Sequence, residues 1–488
     1  MKTSLKVILF LLVLLSGKAY SQFNEDSLSA FIGRKVRAYV DTNKACIVTG
    51  VIRKEGGIEF TKRYSFGHIR HDTASPRPDS LTIFHIGSTT KTYTATILSM
   101  LIQQGGPLAL NELVQSHLPL NIVKAPFYVS PQGDTVRMTI LDLASHYSAL
   151  PDDPISPVND STSYQMMYNY LNNHRLSREP GKCYLYSNLG ISLLGVVLSH
   201  TENKSIDSLF IVKLSDPLGM PDTRISLSPE QLSRRATGYL PNGDSAGYFK
   251  NSWPAFYAAG GIYTTITDFM KYLQFNMGLG IPGYESVLDS AHKMRRINND
   301  TCHFPDSKAK IGLVWQMQLL KPQTDTSLYF IWKDGDVPGF SSYICFVYDK
   351  QNNLKTGVAM ISNINIPVDR MAVDILKYLN NDSVKSGIKQ ISFNNPSKIR
   401  LYQNYPNPFN PSTIIKFDIP SDEKNRMQKV NLTVYDGLGK NVSELVNENL
   451  EYGTYEIEFK GEDLPSSVYY YKLTCGKYGI TGKMLLLK

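Results

Sequence analysis

Ser88 and Lys91 stand three residues apart, just ahead of the apolar run Ile97, Leu98, Met100, Leu101 and Ile102, which Gly105 and Gly106 close. That pattern predicts a largely buried helix with a double-glycine stop. On a helix, positions i and i+3 share a face, so the Lys91 nitrogen can reach the Ser88 oxygen. A serine hydroxyl is a poor nucleophile until a neighbouring base takes its proton. The helix start adds backbone N–H groups and a partial positive charge, which favour negative charge developing there. Ser290/Lys293, Ser307/Lys310, Ser386/Lys389 and Ser421/Lys424 repeat the spacing. For those pairs the plain reading is a solvated helix face. Ser88 is set apart by its surroundings and by its partners downstream.

Around this helix the chain alternates between helical and strand-like patterns. Leu28, Phe31, Ile32, Val36 and Tyr39 fall at helical spacing. Residues 45–52 and 58–60, with a Glu-Gly-Gly turn between them, read as a β-hairpin. Short helices are expected near 139–144, 164–171, 191–198 and 266–273. Residues 311–317, 328–332, 342–348 and 355–362 have the β-branched and aromatic content of strands. A closing helix is expected over 368–379. The order predicts an α+β plan with an antiparallel sheet, ending near residue 382.

Residues 383–400 are polar and of low pattern, and read as a linker. From 401 the character changes to short alternating strands at 414–419, 430–435, 454–459, 468–474 and 484–487, with glycine turns between them. This predicts a small C-terminal β-sandwich over 401–488 without an ionisable constellation.

Charge and composition exclude some classes. The net charge of +8 is mild over 488 residues, with no basic run interleaved with aromatics, so no nucleic-acid partner is implied. Lys2 and Lys6 precede an apolar run at 7–15 and a small-x-small site at Ala19 and Ser21. Residues 1–21 therefore read as an export signal cleaved after Ser21. The run is too short to span a membrane, and no later one approaches about 20 apolar residues, so no transmembrane segment is expected in the mature chain. Cys46, Cys183, Cys302, Cys345 and Cys475 show no Cys-x-x-Cys spacing. Neither a disulfide framework nor a zinc site is supported, and a single disulfide in an oxidising compartment stays open.

Two further segments carry chemistry. In an extended segment, residues two apart face the same way, so Tyr186 and Asn188 can enter one cleft, the phenol to relay protons and the amide to hold substrate. In Lys333-Asp-Gly335, a glycine on an edge strand admits a substrate backbone and the lysine supplies positive charge. The N–H of Asp336 can point at a carbonyl under attack. Ser-x-x-Lys, Tyr-x-Asn and Lys-x-Gly, in this order, form the motif set of serine β-lactamases and penicillin-binding proteins.

Residues 22–382 resemble the superfamily of class C β-lactamases, serine DD-peptidases and related esterases. The resemblance extends through Phe84–Lys91, His146–Leu150, Pro180–Gly190, Ala259–Tyr263 and Gly339–Ser341. It implies an antiparallel sheet flanked by helices plus an all-helical lobe. It also implies an acyl-enzyme at Ser88, with general-base and general-acid work shared by Lys91 and Tyr186. Which of the two takes the first proton stays open. Asn188 would contact the substrate amide, Lys333, beside Gly335, would attract an anionic substrate group, and the backbone N–H groups of Ser88 and Asp336 would supply the oxyanion hole. No metal or other cofactor is required, and His146 is read as structural.

Two departures stand out. Asp334 replaces the hydroxyl residue usual between the lysine and the glycine, and should repel a substrate carboxylate if it faces the cleft. Ala149 stands where glycine is usual. Residues 401–488 resemble the C-terminal sorting domain of the type IX secretion system, through Asn404–Pro411, Val434–Gly439 and Lys483–Lys488. That implies passage through the periplasm to the cell surface or the outside, with the secretion machinery as partner. The expectation is a secreted serine hydrolase acting on ester or amide substrates, D-amino-acid peptides and peptidoglycan-like molecules among them. A DD-carboxypeptidase or β-lactamase proper is the narrower alternative. A catalytically silent binding member of the fold is the rival from another class. The intact reactive residues in all three motifs argue against silence.

Overall fold

The computed structural model describes residues 25–488, apart from 56, 73, 154–162, 248–253, 298–309, 322–324, 350–353, 381–388, 393–394, 422–426 and 463. The expected export signal and Cys302 lie outside the described residues. The chain divides into two units: Ile32–Leu379, and Asn380–Lys488 together with the chain up to Phe31.

The larger unit is built on one antiparallel sheet. Helix α1 (Glu25–Asn43) leads into the hairpin β1 (Ile47–Glu55) and β2 (Ile58–Phe66), and β3 (Ile83–His85) then pairs with β4 (Tyr263–Thr265). The remaining strands come late in the unit: β5 (Arg296–Ile297), β6 (Lys310–Ile311), β7 (Gln316–Lys321), β8 (Asp325–Val337), β9 (Phe340–Asp349) and β10 (Leu354–Ser362). Among the described residues the main sheet runs β2-β1-β10-β9-β8-β7-β6-β5. Ile47, Val48, Val51 and Ile52 of β1 are fully buried, as a strand covered on both faces requires.

Between the hairpin and the late strands lie the helices that make the site. A 3₁₀ turn, Gly87–Thr89, runs into α2 (Thr90–Gln103), which is buried from Thr90 to Leu101. Its threonine hydroxyls are satisfied internally: Thr94 donates to the Ala258 carbonyl (2.6 Å) and Thr92 to the Thr89 carbonyl (2.7 Å). Helix α3 (Asn188–Glu202) starts at Ser187, whose hydroxyl accepts the Gly190 N–H (2.8 Å). A single turn, α4 (Tyr257–Gly260), packs on α3, and α5 (Ile266–Asn276) lies on the sheet. A Cβ at Gly50 of β1 would stand 2.3 Å from Met270 Cγ of α5, so the bare backbone there allows the close approach. The closing helix α6 (Val368–Asn380) buries Met371, Ala372, Ile375 and Leu376, and Asp374 pairs with Lys35 at 2.8 Å.

One expected strand is broken. Residues 311–317 are not continuous: Gly312 N–H donates to the Trp315 carbonyl (2.9 Å), and Val314 has φ of 68°. Tertiary contact holds this turn, since the Val314 N–H donates to the Ala144 carbonyl (2.7 Å) and Trp315 is fully buried. Ala149 has φ of 62°, the left-handed region where a Cβ is disfavoured, which accounts for the glycine usual there.

The smaller unit is a two-sheet sandwich. Its strands are β11 (Lys389–Ser392), β12 (Arg400–Leu401), β13 (Ser412–Ile419), β14 (Met427–Tyr435), β15 (Asn441–Glu451), β16 (Gly453–Lys460), β17 (Ser467–Cys475) and β18 (Tyr478–Leu486). The sheets run β11-β16-β13-β12 and β15-β14-β17-β18. Ile415, Phe417, Leu432, Val434, Ile457 and Leu473, from both sheets, share one core. The stretch read as a linker contributes β11 and β12, so within 383–400 the described residues are partly sheet. Strand β15 went unpredicted because it is an edge strand rich in Asn and Glu, held by pairing to β14. Asn404 ties down the loop after β12: its Nδ2 donates to the Pro406 carbonyl (3.0 Å) and Thr413 Oγ1 (2.9 Å), while its N–H donates to the Tyr471 hydroxyl (3.0 Å).

Helices α3 and α4 meet so closely at Gly195 that a Cβ there would stand 2.4 Å from Ala258 Cβ. Alanine is favoured over glycine in a helix by about 1 kcal/mol, yet overpacking costs typically about 1–3 kcal/mol. Gly195→Ala is therefore expected to lower stability, read as a smaller urea midpoint at unchanged m-value.

Candidate active site

Ser88 sits in the 3₁₀ turn ahead of α2, partly open to solvent while its neighbours Gly87 and Thr89 are buried. Lys91, one turn on, is fully buried. Its Nζ lies 2.8 Å from Ser88 Oγ, 2.5 Å from Asn188 Oδ1 and 2.7 Å from the Ala259 carbonyl oxygen. Burial first, and then the charge of Lys333, hold Lys91 well below the ordinary lysine range, against the opposite pull of Asp152, Asp334 and Asp153. A neutral amine has two N–H donors and one lone pair. The two fixed acceptors, Asn188 Oδ1 and Ala259 O, can take both donors, which turns the lone pair toward the Ser88 hydroxyl.

Tyr186 reaches the same oxygen from another side, its phenol donating to Ser88 Oγ at 2.7 Å. Burial pushes Tyr186 well above its ordinary value and outweighs the lowering by its bond to Ser88, so the phenol keeps its proton. His146 packs beside Tyr186, ring centroids 4.6 Å apart, and its Nδ1 accepts the Ser187 N–H (3.2 Å). Burial holds His146 neutral. The ring thus supports the Tyr186–Asn188 segment.

Asn188 is the first residue of α3. Its oxygen faces Lys91, and its Nδ2 donates to Asp153 Oδ2 at 3.1 Å. Its backbone N–H donates to Asp152 Oδ1 (3.0 Å). The amide expected to meet substrate is thus also a brace for Lys91.

Strand β8 brings in the third segment. Its pairing with β7 ends at Trp332, whereas its pairing with β9 continues to Val337. Residues 333–337 are therefore a local edge inside a wide sheet, with backbone unpaired by β7. Gly335 lies against the Ser88 turn: a Cβ there would stand 2.2 Å from the Ile86 carbonyl oxygen and 2.7 Å from the Thr89 nitrogen. Asp336 packs on Gly87, whose φ is 49° and whose added Cβ would lie 3.1 Å from the Asp336 nitrogen. The Asp336 carboxylate is bonded by Ser341 Oγ. Ser342 bridges β9 to the turn, donating to the Ile86 carbonyl (2.7 Å), with Thr89 Oγ1 2.8 Å away. Lys333 is buried, its Nζ 5.5 Å from the centre of the Tyr186 ring.

The structure thus brings Ser88, Lys91, Tyr186, Asn188, Lys333, Gly335 and Asp336 together. Ser88, Asn188 and Asp336 line a cavity of about 230 Å³. Lys333 departs from expectation: its ammonium donates to the Asp334 carbonyl (2.7 Å) and carboxylate (3.0 Å) rather than facing the cleft unpaired. Sequence reading missed Asp152, Asp153, Thr89, Ser342 and the Ala259 carbonyl. A backbone acceptor leaves no residue signature, and the acids lie 36 and 35 residues before the Asn188 they serve.

A sheet with helices around a Ser/Lys/Tyr cluster is the arrangement of a serine acyl-transfer enzyme. The family comparison agrees: residues 36–380 match the beta-lactamase family model, and the chain belongs to that family, whose members are serine hydrolases. Residues 403–487 match the secretion-system C-terminal sorting domain, which places the protein on the type IX route to the cell surface or the outside. Among the described residues no helix is long and apolar enough to cross a membrane.

The chain is 27% identical over 308 residues to an unguisins hydrolase of Aspergillus campestris, covering 60% of this chain and 54% of the relative, about half its length. It is 30% identical over 299 residues to the D-alanyl-D-alanine-carboxypeptidase/endopeptidase AmpH of Escherichia coli, covering 59% of this chain and 73% of that protein. A class C beta-lactamase structure superposes with a TM-score of 0.60 at 21% identity, covering 74% of this chain and 99% of the other. A beta-lactamase/D-alanine carboxypeptidase from Pseudomonas syringae gives 0.58 at 18%, covering 72% and 98%. These two show the shared fold.

Of the three atoms nearest a Cβ at Gly335, Ser342 Oγ could turn away, but the Ile86 oxygen and the Thr89 nitrogen belong to the backbone, so no rotamer change relieves the clash. Gly335→Ala is expected to displace the Ser88 turn, and a misplacement near 1 Å lowers kcat/KM by roughly a hundredfold. Ester turnover measured beside a thermal melt separates this loss from unfolding.

Proposed function

We propose that this protein is an exported serine hydrolase that forms an acyl-enzyme at Ser88 on ester or amide substrates. The observation that carries the reading is the set of oxygens around Lys91. Two acceptors occupy its donors, and the third is the Ser88 hydroxyl. On this reading Lys91 takes the Ser88 proton as Oγ attacks the carbonyl carbon. The N–H groups of Ser88 and Asp336 receive the oxyanion. Tyr186 gives its proton to the leaving oxygen or nitrogen, and the Lys91 ammonium restores it. Water then attacks the acyl-enzyme and the same groups run in reverse. Residues 22–382 would carry the hydrolase, 401–488 the sorting module, and 1–21 the removable export signal. D-amino-acid peptides enter the substrate class through the AmpH relative, which is named for such an activity.

Ser88→Ala is expected to lower turnover of a p-nitrophenyl ester by at least about a thousandfold while the melting temperature holds. Unchanged turnover in that variant would remove Ser88 from the reaction. The pH profile tests the base. With neutral Lys91 as the active form, kcat/KM is present above the Lys91 pKa and lost as pH falls through it. Lys333 is a cation that lowers that pKa. Lys333→Met should therefore raise it and move the acidic limb of the profile to higher pH. A limb that stays in place would point to another base.

A further inference from the structure

Lys333 is the cation that the motif order offers to an anionic substrate, yet it is already engaged. Its side chain is 1% exposed, and its Nζ donates to both the backbone oxygen and the carboxylate of the next residue, Asp334. An ammonium has three donors, and Asp334 faces two of them. The Asp334 side chain is 50% exposed, and the ammonium it holds lies 5.5 Å from the centre of the Tyr186 ring, so the pair stands beside the phenol that bonds Ser88. An anion tethered one residue away competes at an effective concentration on the order of millimolar or more. A free carboxylate must displace it or accept a like charge beside it. The cavity that Ser88 lines offers little else to an anion. Phe256, Tyr257, Val337 and Pro338 supply apolar wall, and Asp153 adds another acid.

We propose that Asp334 is a specificity-determining residue: its carboxylate fills the place on Lys333 that a substrate carboxylate would take, so the cleft selects esters and amides that are uncharged at that position. This rests on the reading of Ser88 as the nucleophile. It narrows the peptide class to internal bonds and neutral esters, away from substrates with a free terminal carboxylate. Asp334 acts here through Lys333 and takes no proton from the reaction.

The test compares one ligand pair on each protein. The mono-p-nitrophenyl ester of adipic acid carries a free carboxylate, and its methyl diester does not. The wild-type chain should favour the diester in kcat/KM. In Asp334→Thr, the acid-to-diester ratio should rise about ten- to a hundredfold, the worth of one charge-assisted hydrogen bond. A ratio cancels any general loss of activity, and Asp334→Asn serves if the threonine variant folds poorly. A second readout needs no turnover: calorimetric Kd values of adipic acid monoamide and its methyl ester, taken with Ser88→Ala protein with and without the Asp334 change. An acid-to-ester ratio that does not move in either variant, or a wild-type preference for the acid, overturns the proposal. Turnover that survives Ser88→Ala instead overturns the reading of the nucleophile, and the binding ratio still judges Asp334.

Discussion

An amine buried away from solvent is the constraint around which the site is arranged. Lys91 cannot stay charged there cheaply, because desolvation disfavours the ammonium, and Lys333 adds to the pressure. It cannot stand unpaired either. Its three oxygen partners come from the Ser88 turn, the first residue of α3 and the α4 turn. Holding one nitrogen therefore fixes three separate elements to within hydrogen-bond tolerance. The bare backbone at Gly195, against Ala258, lets α3 and α4 approach closely enough. Thr94, donating to the Ala258 carbonyl, anchors the same turn from α2.

The sheet supplies the other wall by stopping short. Strand β7 leaves β8 after Trp332, so the next residues have β9 on one side and the cleft on the other. A continuous partner would bury that backbone in ladder hydrogen bonds and close the site. Ser341 and Ser342 hold the free edge from behind, one on the Asp336 carboxylate and the other on the Ile86 carbonyl. The Asp336 side chain is tied down while its backbone stays against Gly87.

The smaller unit, taken by itself, has the opposite character. Its alternating strands bury one face and leave the other polar, and the buried amide of Asn404 holds a loop. That suits a module read by an export machinery. Cys183 in the larger unit is disulfide-bonded, whereas Cys46 and Cys345 are buried thiols and the Cys475 thiol donates to Gln428 Oε1 (3.0 Å). A disulfide suits a protein that leaves the reducing interior.

Much of this was legible in the chain. Helical spacing, strand composition and glycine turns predicted the hairpin, the Ser88 helix, the late strands and the sandwich, because each depends on local periodicity. The failures were places where distant contact overrides local pattern. Residues 311–317 read as one strand but turn at Val314, which the Ala144 carbonyl holds. Polar β15 is a strand only because β14 pairs with it. At the site, residue types and order singled out Ser88, Lys91, Tyr186, Asn188, Lys333, Gly335 and Asp336, which the fold brings together. Their division of labour was not readable, since it depends on which proton each group holds, and burial sets that.

By itself, then, the sequence determined which reactive groups exist and the order in which they occur, because side-chain chemistry and short-range spacing are local properties. Only the tertiary structure decided that Lys91 is the group pushed toward neutrality, that Tyr186 keeps its proton and that Lys333 is occupied by its neighbour. Each of those outcomes is set by desolvation and by distances of a few ångströms between segments remote in the chain.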